Sequence, residues 1–288
     1  MISFKGIMNN IGVIGYGFVG RAVGEGFATS PKNKIFWYDK YKKSPNTLDE
    51  VIEKSEYIFV CVPTPIFGDY SGMDMSIVEE VVGNVAPKIS GSHKVLIIKS
   101  TSLPGTTKKM SEKFSGVNFV MNPEFLTQKN ANADFLAPSR TVIGSDSRDV
   151  AERVKKIYGT ILPRSQKYFI TDPTSAELIK YMSNIMLASK VLLANEFYDI
   201  AQATGANYQD VRAAVEADPR IGTHLGVPGP DGDRGFGGAC FPKDVVGFLG
   251  FAKSKKVDVM ALNAIWEKNL KIRKNKDWEK MPQAFKKK

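Results

Sequence analysis

A cysteine follows a glycine-rich stretch in the last quarter of the chain. Cys240 lies in residues 235–244, which read GFGGACFPKD, and Pro242 follows it closely. Glycine lets another molecule approach the backbone, and proline is favoured in the first turn of a helix. A thiol at a helix N-terminus beside Lys243 is expected to have a lowered pKa and to act as a nucleophile. In contrast, Cys61 lies in an apolar run and is expected to be an inert core thiol.

Two polar side chains lie four residues apart on a long helical stretch. Lys180 and Asn184 fall within residues 174–203, which contain neither glycine nor proline. Residues at this spacing share one helix face, and the neighbouring side chains are largely apolar. The pattern favours the wall of a polar pocket, with a solvated helix face as the alternative.

Near the N-terminus, three glycines separate an apolar run from a helix start. Gly15, Gly17 and Gly20 form the pattern G-x-G-x-x-G, with Phe18 and Val19 between the last two. In this pattern the first glycine permits a tight turn, and the second lets the backbone approach a pyrophosphate. The third allows close packing of helix against strand. We therefore predict a dinucleotide site in which these five residues contact the cofactor.

The ends of the next strands point to NAD as that cofactor. Asp39 closes the second apolar run at a spacing typical of the acid that accepts the adenosine ribose hydroxyls. A carboxylate there repels the 2′-phosphate of NADP, although the lysines that follow it weaken this preference. Thr64 and Thr101 each follow a later strand, and ligands of open α/β sheets bind outside the carboxyl ends of strands. Both threonines are therefore predicted to contact NAD.

Apolar runs alternate with helical patterns over the first part of the chain. This alternation predicts an α/β fold with a Rossmann-type doubly wound parallel sheet. The pattern then becomes helical, with one glycine- and proline-rich loop at 218–239, which predicts an all-helical dehydrogenase domain. The predicted domains are 1–172 for NAD binding, 173–275 for the helical part with the cysteine loop, and 276–288 for a basic tail. Predicted strands are 11–14, 34–38, 57–62, 94–99, 118–121, 141–144 and 168–171, and the longest predicted helices are 174–203 and 259–274.

Composition excludes several classes of protein. The net charge is +10, but residues 253–288 hold 12 basic and 4 acidic residues, so the body is nearly neutral. We expect a solvated tail, and nucleic acid is not expected as a partner. Two cysteines and two histidines are too few for a disulfide scaffold or a common zinc site, so no metal is predicted. No apolar run has a membrane-spanning length and the N-terminus lacks a signal-peptide core, which favours a cytoplasmic protein.

Eight motifs together carry a family resemblance. They are VIGYGFVG, CVPTP, KSTSLPGTT, NPEFL, AELIKYMSN, NEF, DPRIG and GFGGACFPKD. Their order and spacing over about residues 10–270 resemble the UDP-glucose/GDP-mannose 6-dehydrogenases. The resemblance implies oxidation of a nucleotide sugar, UDP-glucose first among them, from the C6 alcohol to the carboxylate with two NAD. A thiohemiacetal and then a thioester on Cys240 would be the covalent intermediates.

The same resemblance implies roles for individual residues. Lys180 and Asn184 would stabilise an oxyanion, Asp244 would orient water together with Lys180, and Glu124 would be a general base. Lys243 would contact the cofactor. The residues implied to line the substrate are Phe125, Leu126, Gly237, Gly238 and Arg220, the last reaching it across a homodimer interface.

Two features depart from the family pattern. Gln128 stands where members usually have a second glutamate, and an amide cannot act as a base. The chain also ends where members continue into a third domain that grips the nucleotide diphosphate. The sequence therefore leaves open which sugar and which nucleotide are bound, and how the nucleotide is held.

Two other functions fit parts of the sequence. A two-electron β-hydroxyacid-type dehydrogenase also combines a dinucleotide domain with a helical Lys-x-x-x-Asn segment, but it gives Cys240 no role. A catalytically idle NAD-binding protein with a polyanion-docking tail would account for the C-terminal charge, but not for the cysteine, lysine and carboxylate residues together.

Overall fold

The computed structural model describes residues 8–287 as two compact units. Unit 1 comprises the chain up to Thr64 together with Met75–Lys180, and unit 2 comprises Pro65–Asp74 together with the chain from Tyr181 onward. The division therefore falls within a helix, at Lys180, and not at the predicted residue 172. The second unit also takes in a short segment from the first half of the sequence.

Unit 1 is built on a seven-stranded sheet in the order β2-β1-β3-β5-β6-β7-β8. The first five of these strands are parallel to their neighbours, whereas β6 pairs with β7 in the antiparallel direction at Met121 and Gly144. The doubly wound α/β class is confirmed, with this one antiparallel junction as a difference. The strands are β1 (Asn9–Ile14), β2 (Asn33–Tyr38), β3 (Tyr57–Val60), β5 (Val95–Ile98), β6 (Asn118–Met121), β7 (Thr141–Gly144) and β8 (Tyr168–Thr171).

Apolar side chains on both faces of this sheet explain why it is buried. In β3, Tyr57 and Phe59 belong to one core cluster, whereas Ile58 and Val60 belong to the other. Successive strand residues point to opposite faces, so a continuous apolar run implies helices on both sides. The covering helices are α1 (Phe18–Ala28), α2 (Leu48–Lys54), α3 (Ser76–Ile89), α4 (Thr106–Lys113), α5 (Ala131–Leu136) and α6 (Arg148–Tyr158).

Unit 2 contains helices and one small sheet. Helix α7 (Pro173–Thr204) enters it at Tyr181, and the two-stranded sheet pairs β4 (Ile66–Phe67) in parallel with β9 (Phe285–Lys286). The predicted all-helical domain is therefore helical except for this pair of short strands. The other elements are α8 (Tyr208–Glu216), α9 (Phe241–Ser254), α10 (Met260–Ile272) and a 3-10 helix at Asp277–Lys280.

The expected solvated tail is the main correction to the predicted organisation. Trp278 and Ala284 are fully buried in the core of unit 2, and Phe285 packs against the same core. Lys286 Nζ forms an ion pair with Asp74 Oδ2 at 2.6 Å. The charge pattern was misleading because the apolar residues between the lysines anchor the segment, while the lysines face outward.

Candidate active site

The glycine turn has the geometry that its sequence predicts. Gly15 has a φ of +87°, and a Cβ on Gly20 would lie only 1.9 Å from the Gly15 carbonyl oxygen. Glycine is therefore required at both positions by the fold itself. A Cβ on Gly17, in contrast, would meet nothing within 4 Å. Open space at the N-cap of α1 is what an approaching pyrophosphate needs.

Asp39 is tied to this turn by hydrogen bonds. The amide of Tyr16 donates to Asp39 Oδ2 at 2.7 Å, and the amide of Tyr41 donates to Oδ1 at 2.9 Å. The Tyr16 ring stacks on Trp37 with centroids 4.1 Å apart. The carboxylate thus helps to hold the glycine turn, in addition to its predicted contact with the ribose.

The residues present fit NAD. Gly17 is the N-cap of helix α1 and has no side chain to cap the first amides, and the first turn of the helix contains no acidic residue. Unpaired helix amides with open space in front of them form an anion site. Thr64 and Thr101 are buried residues that follow β3 and β5. The helix start would hold the pyrophosphate, and the two threonines are suitably placed along the chain to contact the rest of the cofactor.

Glu124 and Lys180 form a buried ion pair in unit 1. Lys180 Nζ donates to Glu124 Oε1 at 2.8 Å, and the two side chains are 3% and 7% exposed. The amide of Leu126 donates to Glu124 Oε2 at 2.7 Å, which fixes the carboxylate. Two cations lie over the Phe125 ring, with the Arg140 guanidinium 4.0 Å and Lys180 Nζ 5.6 Å from its centroid. Two predicted catalytic residues are therefore in direct contact.

Lys99 is a second buried amine close enough to this pair to interact with both charges. Lys99 Nζ donates to Asn122 Oδ1 at 2.9 Å and to the Tyr158 hydroxyl at 3.3 Å. The Tyr158 hydroxyl in turn donates to Asn122 Oδ1 at 2.6 Å. Burial lowers the pKa of Lys99 to about 8, a shift that the nearby Glu124 charge partly opposes. This network fixes the loop that carries Glu124.

A cavity of about 210 Å³ opens over these residues. Its wall includes Lys99, Asn122, Glu124, Leu126 and Arg140. The lining is mixed, because Phe125, Phe135 and Pro138 stand beside these charged and amide groups.

Cys240 lies at the start of α9 in unit 2, as predicted. It is the N-cap residue of this helix, and proline occupies the first turn. Cys240 is a partly exposed residue, whereas Cys61 is buried and burial raises the pKa of the Cys61 thiol to about 12. Burial of Cys61 fits an inert core thiol, while the nucleophilic role and the lowered pKa of Cys240 remain predictions.

Asp244 is the centre of a buried polar group one turn after Cys240. Asn184 Nδ2 donates to Asp244 Oδ2 at 2.5 Å, and Lys243 Nζ donates to Asp244 Oδ1 at 2.5 Å. Asp244 itself is 0% exposed. The structure thus joins two predicted catalytic residues. It also gives Lys243, predicted to bind the cofactor, a carboxylate partner within unit 2.

Arg220 and Gly238, two more residues predicted to contact the substrate, both have partners within the chain. Arg220 is exposed and forms an ion pair with Asp218 at 2.6 Å, so its contact across a dimer interface remains a prediction. Gly238 has a φ of +74°, and its amide donates to Asp277 Oδ2 at 3.0 Å. That N–H therefore has a partner inside the chain.

Several residues at these sites were not identified from the sequence. Lys99 ends an apolar run, and a charged residue in that position was a usable signal. Arg140 and Tyr158 gave no such signal, because the residues around them in the sequence form no recognisable motif. Glu177 accepts hydrogen bonds from the amides of Gly105 and Thr107 at 2.6 and 2.8 Å, and burial raises its pKa to about 7.

Residues 8–287 contain neither a metal-binding cluster of acidic, cysteine or histidine side chains nor a membrane-spanning helix. No group of three or more His, Cys, Asp or Glu side chains is arranged to hold a metal ion. No helix in this range combines the length and apolar character needed to cross a membrane.

Comparison with known proteins identifies the family. The NAD binding domain of the UDP-glucose/GDP-mannose dehydrogenase family matches residues 38–162, and the central domain of that family matches residues 174–271. UDP-glucose 6-dehydrogenase of Rickettsia felis is 33% identical over 232 residues, which is 79% of this chain and 50% of the relative. The chain spans about half the length of the curated relatives it matches.

Solved structures agree with this result. A UDP-glucose dehydrogenase from Pyrobaculum islandicum has a TM-score of 0.81 at 27% identity, covering 94% of this chain and 70% of that one. The 3-hydroxyisobutyrate dehydrogenase of Mycobacterium tuberculosis has a TM-score of 0.72 at 15% identity, covering 92% and 93%, which is a likeness of fold alone. The predicted NAD cofactor is confirmed at the level of the matched domain. The chain therefore belongs to the UDP-glucose/GDP-mannose dehydrogenase family and contains the NAD-binding and central domains of that family.

Proposed function

We propose that this protein catalyses the NAD-dependent four-electron oxidation of a nucleotide sugar from the C6 alcohol to the carboxylate. UDP-glucose is the first substrate to test, because that compound is in the names of the relatives. The observation that carries the proposal is the position of Cys240 at the start of α9, one turn before the buried group of Asp244, Asn184 and Lys243.

The thiol makes the second oxidation possible. A hydride does not leave an aldehyde carbon readily, but it can leave a tetrahedral adduct. Cys240 Sγ would add to the C6 aldehyde and form a thiohemiacetal, with its proton passing to solvent or a nearby base. Loss of hydride from this adduct gives a thioester, and one water molecule then hydrolyses it to the carboxylate and frees the thiol. NAD, when bound, accepts the hydride in each of the two oxidations.

Charged and amide groups of the chain would act on the oxygen of the adduct. Lys180 supplies an ammonium group and Asn184 an amide donor, and one turn of α7 separates them. Preorganised donors of this kind stabilise a developing oxyanion strongly. The hydrogen bond from Asn184 Nδ2 to Asp244 Oδ2, at 2.5 Å, already orients the amide. Little conformational entropy is therefore lost when the amide donates to the oxyanion.

Hydrolysis of the thioester needs a base for water. Glu124 is the candidate, with Asp244 orienting the water together with Lys180. Glu124 is held at two oxygens, by Lys180 and by the amide of Leu126. Gln128 can donate or accept a hydrogen bond but cannot take the proton. The base function is therefore assigned to Glu124, and Gln128 is not expected to share it.

We also propose a homodimer through α7. Large apolar side chains recur along one side of this helix at spacings of three, four and seven residues, and more than half of each side chain is exposed. These residues are Met182, Met186, Leu193, Phe197 and Ile200. An exposed apolar stripe of this length is typical of a protein interface. A dimer would also allow Arg220 to reach the substrate of its partner. Analytical ultracentrifugation should give a dimer for the wild type and a monomer for Phe197→Glu.

The stoichiometry of turnover tests the proposed reaction. The protein is incubated with NAD and, separately, UDP-glucose, GDP-mannose and UDP-N-acetyl sugars, and NADH and product mass are measured. We expect two NADH per sugar and a product that is heavier by 14 Da, the balance of one oxygen gained and two hydrogens lost. Cys240→Ala should abolish uronate formation, whereas the matched variant Cys61→Ala should retain it.

Two outcomes would contradict the proposal. An unchanged uronate yield in Cys240→Ala would remove the thioester route. One NADH per turnover with a stable carbonyl product would instead support the two-electron hydroxyacid-type reaction, whose fold this chain shares.

A further inference from the structure

The glycine-rich loop that leads into Cys240 is held by side chains from a later part of the chain. The amide of Phe236 donates to Asn269 Oδ1 at 2.8 Å, and Asn269 Nδ2 donates to the Phe236 carbonyl at 3.0 Å. Two residues further along the loop, the amide of Gly238 donates to both carboxylate oxygens of Asp277, at 3.0 and 3.2 Å. Both attachments are to backbone groups, so they fix the path of the loop.

Arg273 links Asp277 to the earlier part of the loop. Its side chain is 1% exposed, and its guanidinium forms ion pairs with Asp231 and, at 3.2 Å, with Asp277. It also donates to the carbonyls of Asn275 at 2.8 Å and Arg234 at 3.3 Å. A buried arginine with this many acceptors is held in one orientation.

The two glycines at residues 237 and 238 suit the positions of Arg273 and Asp277. A Cβ on Gly237 would lie 2.0 Å from the Arg273 guanidinium, and Gly238 has a φ of +74°. The guanidinium therefore occupies the space that a side chain at residue 237 would need. Asn269, Arg273 and Asp277 follow each other at intervals of four residues. Asn269 contacts Phe236 and Asp277 contacts Gly238, whereas Arg273 contacts the earlier part of the loop, at Asp231 and Arg234.

We propose that Asn269, Arg273 and Asp277 are positioning residues that set the place of the Cys240 thiol at the start of α9. The proposal rests on the proposed function of Cys240 as the nucleophile. Glycines give the loop no side chains of their own with which to hold a shape, and free glycines carry a large conformational entropy. Without these three residues, the Gly237–Gly238 pair before Cys240 would sample many conformations. The thiol would then be more exposed and less often aligned with the aldehyde.

Asp277→Ala tests this with Glu279→Ala as the matched control. Both carboxylates lie in the same 3-10 helix, but Glu279 accepts a hydrogen bond from the Tyr70 hydroxyl and not from the loop. Iodoacetamide alkylation of Cys240 is measured by mass spectrometry from pH 6 to 9, in a Cys61→Ala background. The kcat and KM with UDP-glucose and NAD, and the melting temperature, are measured on the same proteins.

We expect Asp277→Ala to alkylate at least about threefold faster at Cys240 and to lose about tenfold in kcat, with KM for NAD unchanged. Asp277→Asn, which keeps one acceptor for Gly238, should fall between Asp277→Ala and the wild type. Glu279→Ala should match the wild type in both rates. The pH series separates the two causes: a changed thiol pKa shifts the midpoint of the alkylation rate, whereas greater exposure raises the rate of the thiolate at every pH.

The proposal is overturned if Asp277→Ala matches Glu279→Ala in alkylation rate and kcat. It is also overturned if the alkylation rate and kcat of Asp277→Ala change only in proportion to a lowered melting temperature, which would indicate a general structural role. Failure of the proposed function is seen separately, as an unchanged uronate yield in Cys240→Ala. In that case the alkylation rates, which need no substrate, still decide whether these residues position the thiol.

Discussion

Replacing Lys99 with methionine should change how the stability of the protein depends on pH. Lys99 is 5% exposed, and its amine lies against Asn122 and Tyr158, with the rings of Phe135 and Tyr158 each 5.8 Å away. Burial lowers the pKa of this amine from the ordinary 10.5 to about 8. Methionine has a similar length and no proton to release, so Lys99→Met removes this titration while filling much of the same space.

The sign and size of the effect follow from the two pKa values. Between pH 8 and 10.5 the unfolded chain keeps the Lys99 proton, whereas the folded protein has released it. The free energy of unfolding therefore rises with pH across this window. The whole rise corresponds to about 3 kcal/mol. Below pH 8 this contribution is absent, because the buried amine must carry its charge.

Urea unfolding followed by circular dichroism at intervals from pH 7 to 10 measures this difference. Subtracting the Lys99→Met curve from the wild-type curve should leave a rise of about 2 to 3 kcal/mol between pH 8 and 10. The slope is diagnostic, because methionine also removes hydrogen bonds that contribute about 1 kcal/mol each at every pH. Tyr158→Phe is the control, since it removes a hydroxyl from the same network and keeps the amine. Burial raises the pKa of Tyr158 well above 10, so the phenol stays protonated throughout.

The reasoning fails if Lys99→Met shows the same rise as the wild type. The amine would then keep its proton in the fold up to pH 10, and its hydrogen bonds and the nearby Glu124 charge would outweigh burial. Loss of the rise in Tyr158→Phe as well would assign it to the network as a whole and not to the lysine.

Four further predictions concern the cofactor site and the buried carboxylate of Glu177. Gly20→Ala should lower the free energy of unfolding by about 2 kcal/mol or more in urea, because its Cβ would lie 1.9 Å from the Gly15 oxygen. Gly17→Ala, which meets nothing within 4 Å, should keep the wild-type stability but weaken NAD binding by about tenfold in calorimetry. Asp39→Asn should raise the kcat/KM for NADP relative to NAD by about tenfold, since it removes the charge that repels the 2′-phosphate. Glu177→Gln should lower the free energy of unfolding by about 1 to 3 kcal/mol, because one of its buried donors loses its acceptor.

Local patterns predicted the strands of the large sheet well, because each is an apolar run bounded by turn residues. Helices α4 and α5 were not predicted. α4, with the sequence TTKKMSEK, has almost no apolar face, and its start is held by the distant Glu177. The β4–β9 pair was also missed, since its two strands have two residues each and lie more than 200 positions apart. Pairing at that distance leaves no signal in a local window.

Predictions for the site divide in a similar way. Motifs identified Cys240, Lys180 and Glu124, and the structure places the last two in contact. The residues that hold these groups in place were not identified, because their function depends on a neighbour far away in the sequence. Lys99 and Asn122 are 23 positions apart, and Gly238 and Asp277 are 39 apart.

The cysteine loop shows why such distant support is needed. A loop rich in glycine admits a substrate close to its backbone, but it gives up the side chains that would hold its own shape. The order needed by a nucleophile must then come from outside the loop, and here it comes from Asn269, Arg273 and Asp277. The segment after α10 therefore has to fold onto unit 2, with Trp278 as its apolar anchor. The lysines of this segment suggested a solvated tail. The buried residues between them instead hold the segment against unit 2, where Asp277 can contact the cysteine loop.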